Sequence, residues 1–244
     1  MTARDKPAPA SPPLVWERPE PTRRASPEPL SRDRIVQAAL ALADAEGLDA
    51  VSLRKVGAAL NAGPMRLYGY LETKEELLEL MVDAVYGEML TPRLGRGDWR
   101  KVLRAFAHRL RRAAQQHPWF PDLLGARPHQ GPSALAFLES ALAALGHSPG
   151  FDDIDVVMRS FKVVNAYVIG AVRIERSEQH AERTTGMDKT AWQLANGPYL
   201  QRLIATGKFP QIGRVYESAS HPSPDAVFDD GLDCILDGIA ARLG

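Results

Sequence analysis

The segment from Asp152 to about Arg176 constrains this chain more than any other. Its apolar residues Ile154, Val157, Met158, Phe161, Val164, Val168, Ile169 and Val172 recur at helical spacing around most of the circumference. A helix with one apolar stripe can lie on a surface, but one that is apolar nearly all round must be covered on nearly all sides. The rest of the chain must therefore supply helical partners, and no strand-like alternation longer than a few residues competes with that reading. The expected fold class is all-α.

The partners follow in order. Ser31 caps a helix with Ile35, Ala39 and Leu42 on one face, closed at Gly47. Ser52 opens a short second helix carrying Leu53, Val56 and Leu60. Asn61-Ala62-Gly63 makes a tight turn, because Asn tolerates the left-handed conformation, and Pro64 suits the first position of a two-turn helix reaching about Tyr70. Thr73-Lys74-Glu75-Glu76 is a capping box for a helix with Leu77, Leu78, Met81, Val82 and Val85, stopped by Pro92. Amphipathic helices are expected over 98–116, 133–145 and from Ser223-Pro224 onward, where Phe228, Leu232, Ile235, Ile239 and Leu243 form the stripe. Residues 177–222 read as a long polar connection with short helices near Trp192 and over Tyr199–Ile204.

Upstream of Ser31 lies a different kind of chain. Residues 1–30 hold eight of the nineteen prolines and five cations against four acids, so burial cannot offset the entropy of ordering them. They read as a disordered or polyproline-type arm, either an inert tail or one that touches DNA. The expected organisation is arm 1–30, a helix-turn-helix domain 31–76, and a ligand-binding and dimerisation domain 77–244.

Charge excludes some function classes. Thirty Lys and Arg balance thirty Asp and Glu, which argues against a nucleic-acid-coating protein and a polyanionic disordered chain alike. A single cysteine, Cys234, rules out an intrachain disulfide framework and a Cys-based zinc finger, and fits a reducing compartment. No leader or spanning run is visible: the uncharged stretch Val163–Val172 is ten residues where about twenty are needed. A soluble cytoplasmic protein is expected. Yet residues 51–74 carry four cations (Arg54, Lys55, Arg66, Lys74) against Glu72 alone, so positive charge concentrates on the helical hairpin.

The run Ser52-Leu53-Arg54-Lys55-Val56 through Leu60-Asn61-Ala62-Gly63-Pro64-Met65-Arg66-Leu67-Tyr68-Gly69-Tyr70-Leu71 to Lys74-Glu75-Glu76-Leu77-Leu78 resembles the DNA-binding domain of TetR-type transcriptional repressors. Asp98-Trp99-Arg100, His117-Pro118-Trp119 and Phe228-Asp229-Asp230-Gly231-Leu232 are similar to the tetracycline-repressor type of C-terminal domain. Two positions depart from the pattern: Asn61 stands where the family usually has Gly, and Gly69 where a larger side chain often reads a base. The resemblance implies a homodimer that binds a palindromic operator and releases it when a small-molecule effector enters the C-terminal domain. Carried over, Arg54 matches a base-reading position, Pro64, Met65 and Tyr70 match recognition-helix contacts, and Ser52, Tyr68 and Lys74 match phosphate contacts. With Gly69 offering no side chain, base reading is expected to rest on Arg54, Arg66 and Tyr70.

Phe106, Trp119, Phe137, Met158, Phe161 and Asn165 are candidates for an effector pocket, with plain core packing as the alternative. Asn165 needs a partner inside an apolar helix, which a ligand or an interhelical hydrogen bond could supply. Val164, Val168, Leu232, Ile235 and Ile239 are the candidate dimer interface, where two helices from each copy would form a four-helix bundle. Residues 93–112 hold eight cations against one acid, and 215–241 six acids without a cation. These read as solvated faces, or as faces that meet within the dimer or draw in an anionic ligand. Asp152, Asp153 and Asp155 suit the N-terminus of a helix rather than a metal. No nucleophile with a paired base, phosphate loop or metal cluster emerges, so no enzymatic activity, cofactor or metal is expected. The alternative to a repressor is a helical ligand-binding or interaction module that no longer reads DNA.

Overall fold

The computed structural model describes residues 13–21, 29–90, 94, 97–125, 128–220 and 222–243, and those residues form eleven α-helices and no strand. The chain divides into two compact units, residues 1–92 with 126–139 and residues 93–125 with 140–244.

In the first unit, α1 (Arg32–Glu46) begins where the Ser31 hydroxyl accepts from the Arg34 amide and ends at Gly47, whose φ of 86° favours glycine. Its buried face is Ile35, Val36, Ala39, Leu40 and Ala43; Leu42 is only half-buried, so the helix is rotated from the expected stripe. A 3-10 turn at Leu48–Ala50 leads to α2 (Leu53–Ala59), capped by Ser52. Asn61 takes φ 50°, the left-handed turn expected of it. A Cβ on Gly57 would lie 2.7 Å from the Ala62 carbonyl oxygen, so the closeness of this turn requires glycine there. Helix α3 (Pro64–Leu67) is shorter than expected, and the Tyr70 and Leu71 amides continue it by bonding the Leu67 carbonyl.

Thr73 caps α4 (Lys74–Glu88), which ends before the expected stop at Pro92, a residue outside those described. Helix α4 packs on α1 and buries Leu77, Met81, Val82 and Val85. Buried Asp83 accepts a 2.8 Å hydrogen bond from the Ala134 amide in the first turn of α7 (Pro132–Gly146). A glycine, Gly131, precedes that turn and has no side chain to cap it, so a carboxylate from another helix does so.

The second unit is built on α5 (Trp99–Gln116) and α8 (Ile154–Thr185), against which α6 (Phe120–Leu123) and α11 (Pro224–Leu243) pack, while α9 (Lys189–Ala205) and α10 (Pro210–Ser218) pack on each other. Helix α8 runs well past Arg176 to a left-handed cap at Gly186, and α9 passes unbroken from Trp192 through Tyr199 with Pro198 inside it. The polar connection expected over 177–222 is thus largely helical.

The basic and acidic stretches resolve into a ladder within one chain. From α5 to α11, Arg100 pairs with Asp237, Arg104 with Asp233, His108 with Asp229 and Arg111 with Asp225, descending one helix while ascending the other. Neither free solvation nor a meeting across the dimer describes these pairs. Buried Arg111 also bonds Glu175 of α8 at 2.9 Å and lies 4.5 Å over the Phe228 ring, so one guanidinium ties three helices. No described helix is long and apolar enough to cross a membrane.

Candidate nucleic-acid interface

Helices α2 and α3 present their side chains unequally. Arg54, Pro64, Met65, Arg66, Tyr68 and Lys74 are exposed, Met65 to 78% and Tyr68 to 49%. Leu67 and Leu71 are fully buried beneath them and hold α3 in place. Among the described residues, Arg54, Arg66 and Lys74 make no ion pair, whereas the Lys55 ammonium is held 2.7 Å from Glu46. The structure therefore separates two neighbouring cations that the sequence could not: Arg54 is available to a ligand and Lys55 is engaged. Lys74 occupies the first position of α4, where the free amides and the helix dipole already favour a phosphate.

Two of the eight expected contact residues are already occupied. The Ser52 hydroxyl accepts from the Lys55 amide as the N-cap of α2, although a hydroxyl can still donate outward. Tyr70 is half-buried, and its hydroxyl donates to the Leu30 carbonyl at 2.8 Å. It fastens the end of α3 to the residue before the α1 cap, an engagement that speaks against the expectation that it reads a base.

Sequence reasoning missed one contribution, from the arm. Residues 1–12 and 22–28 lie outside those described, but residues 13–21 are folded, contrary to the expected disorder. Val15 is buried, and Arg18 bridges Glu72 and Glu76. The signal available was the Leu14-Val15-Trp16 triplet, an apolar run between prolines that can offset its own ordering.

Elsewhere, the expected effector residues are dispersed. Phe106 and Trp119 are buried in the second unit, with the Phe106 ring 4.8 Å from half-buried Phe161. Met158 and Asn165 are half-buried, so the Asn165 amide is not sealed in apolar surroundings. Phe137 belongs to the first unit, packed 5.8 Å from the Tyr86 ring. None of the six lines the cavity of about 360 Å³ between α8 and α11, which is bounded by Val156, Arg159, Val163, Ile235, Ile239 and Leu243 among others. Of the expected dimer residues, Val164, Val168 and Leu232 are wholly buried within the single chain. They are core, because side chains at those positions close the α5, α8 and α11 packing. Ile235 and Ile239 remain partly exposed and line the groove. Cys234 is exposed.

Comparison with known proteins agrees with this geometry. Residues 35–81 match "Bacterial regulatory proteins, tetR family" and residues 91–243 match "Tetracyclin repressor-like, C-terminal domain". The HTH-type transcriptional repressor DrrR1 of Streptomyces coeruleorubidus is 37% identical over 93% of this chain and 83% of its own. An HTH-type transcriptional regulator of Saccharopolyspora erythraea is 36% identical over 100% of this chain and 99% of its own. The crystal structure of ActR from Streptomyces coelicolor in complex with actinorhodin superposes with a TM-score of 0.73 at 28% identity, covering 88% of this chain and 97% of that one. The exposed cations on a helix-turn-helix, and matches that together reach from residue 35 to residue 243, place this chain in the TetR family of bacterial regulators, with a tetracycline-repressor-like C-terminal domain.

Proposed function

We propose that the protein is a cytoplasmic transcriptional repressor that binds a palindromic operator as a homodimer and releases it when a small, partly apolar effector binds the C-terminal domain. The observation that carries this reading is the pair of exposed guanidinium groups that make no ion pair among the described residues, Arg54 on α2 and Arg66 on α3, with exposed Met65 and Tyr68 beside Arg66. Arginine forks match the guanine edge in the major groove, the Met thioether suits a thymine methyl, and Tyr68 and Lys74 suit phosphates. The relative named as a repressor and ActR with its bound actinorhodin support both halves of the reading.

Dimerisation is supported by the groove between α8 and α11. Ile235, Ile239 and the 45% exposed Val163 leave an apolar surface on both helices that a second copy would cover. The pairing of Phe106 and Phe161, with Met158 and Asn165 nearby on α8, is where an effector would be admitted by parting the rings.

Selection from random DNA tests the reading. The expected product is a two-fold sequence with half-sites one helical turn or a multiple apart, bound with steep salt dependence. An Arg54→Ala, Tyr68→Phe double variant should bind it at least tenfold more weakly, since each bidentate base contact is worth about 1–3 kcal/mol. Enrichment of no palindrome, or unchanged affinity of the double variant, would favour an interaction module that does not read DNA.

A further inference from the structure

We propose that Arg18, upstream of the helix-turn-helix, is a positioning residue for operator binding: it masks two carboxylates beside the recognition helix. This rests on the operator-binding reading above.

The need for such a residue is written in the charges. Residues 51–76 contain four cations against three acids, Glu72, Glu75 and Glu76, and one of the cations, Lys55, is already tied to Glu46. Two of the three acids, Glu72 just before Thr73-Lys74 and Glu76 in the first turn of α4, lie where a phosphate would approach that turn. Left alone, they would repel the backbone that Lys74 attracts. The Arg18 guanidinium bridges them, one nitrogen to Glu72 and the other to Glu76, with its side chain only 17% exposed. Glu76 also accepts from the Glu72 amide at 2.6 Å, so the fork, both carboxylates and the N-terminal turn of α4 form one connected group.

The same residue is held by its backbone. Arg32, the first residue of α1, donates to the Arg18 carbonyl at 2.6 Å and to the Tyr70 carbonyl at 3.0 Å. One guanidinium thereby joins the arm, α1 and the chain leaving α3. Further along, Pro21 comes beside exposed Gly69: a Cβ added at 69 would stand in ordinary contact, 3.5 Å from the Pro21 Cγ. Val15, fully buried, holds this part of the arm within the first unit.

The test is a double-mutant cycle in the full-length protein, read as fluorescence anisotropy of the operator that the wild type selects from random DNA. Arg18→Gln should weaken binding at least tenfold, because two half-sites each expose two acids to phosphates. In a Glu72→Gln, Glu76→Gln background the same change should cost less than threefold, since no carboxylate remains to be masked. Equal loss in both backgrounds would overturn the proposal: Arg18 would then touch phosphate directly, lowering the salt slope by about 0.9 per protomer, or serve the fold alone. Unchanged affinity of Arg18→Gln in the wild-type background would overturn it as well. Arg18→Lys keeps the charge but cannot bridge both acids; an intermediate loss in the first background and none in the second is expected, and this variant carries the cycle should Arg18→Gln fail to fold. A wild type that selects no operator overturns the operator reading and this inference with it, whereas a wild type that binds with an indifferent Arg18 overturns the inference alone.

Discussion

Replacing Asp83 with alanine should loosen the first turn of α7, and the size of the effect can be worked from its surroundings. The carboxylate is 8% exposed and accepts from the Ala134 amide at 2.8 Å, doing from α4 what an N-cap side chain does locally. Losing an N-cap acceptor costs about 1 kcal/mol, and losing a negative charge at a partly buried helix N-terminus costs a similar amount. Together these give about 2 kcal/mol, or roughly thirtyfold faster hydrogen exchange at the Ala134 amide if opening is local. Asp83→Asn keeps an acceptor and should lose about half of that. Gly131 supplies the internal check. A Cβ there would lie 2.2 Å from the Asp83 Oδ1 and 2.8 Å from the Asp83 Cβ. Gly131→Ala should therefore cost about 1–3 kcal/mol in the wild type by overpacking, and distinctly less beside Ala at 83, where only the longer approach remains. Hydrogen exchange resolved over 131–138 in the four variants reads the cycle. Strict additivity, or no acceleration in Asp83→Ala, would refute the capping argument.

Three further outcomes are expected. Burial pushes the Tyr86 phenol up to about 12, so the unfolded chain ionises first and stability is lost as pH rises from about 10 towards 12; by linkage the loss is at most about 3 kcal/mol, and Tyr86→Phe should flatten that limb of the alkaline melting curve. Arg111→Ala should lower thermal stability by roughly 3–5 kcal/mol, because it strands the buried side of Glu175 and removes the cation from the Phe228 face, whereas Arg100→Ala at the exposed end of the same ladder should cost under about 1 kcal/mol. Ile235→Glu with Ile239→Glu should yield monomers by light scattering that lose operator affinity; persistent dimers would place the interface away from the α8–α11 groove.

Sequence by itself determined where most helices of the first unit begin, though not the helices that fill 177–218. Caps, turns and stripes are local properties: Ser31, Ser52 and Thr73 cap the helices expected of them, and Asn61 takes the positive φ that few other residues tolerate. The helix-turn-helix was legible for the same reason, since its exposed residues sit within one short stretch whose register is fixed by Leu67 and Leu71 facing inward. Tertiary structure decided everything that depends on a partner distant in the chain. Arg54 and Lys55 look alike until Glu46 arrives beside one of them. Val164 and Val168 could face another copy or the core, and only the packing of α5 and α11 against α8 chooses the core. The opposite charges of 93–112 and 215–241 gave no hint of whether water, another copy or each other would neutralise them, because periodicity names a helix face and not what it meets. The arm shows the same limit: its prolines forbid regular structure, but a buried valine and one bridging arginine, 54 and 58 residues from their acids, are enough to fold residues 13–21 against the DNA-binding unit.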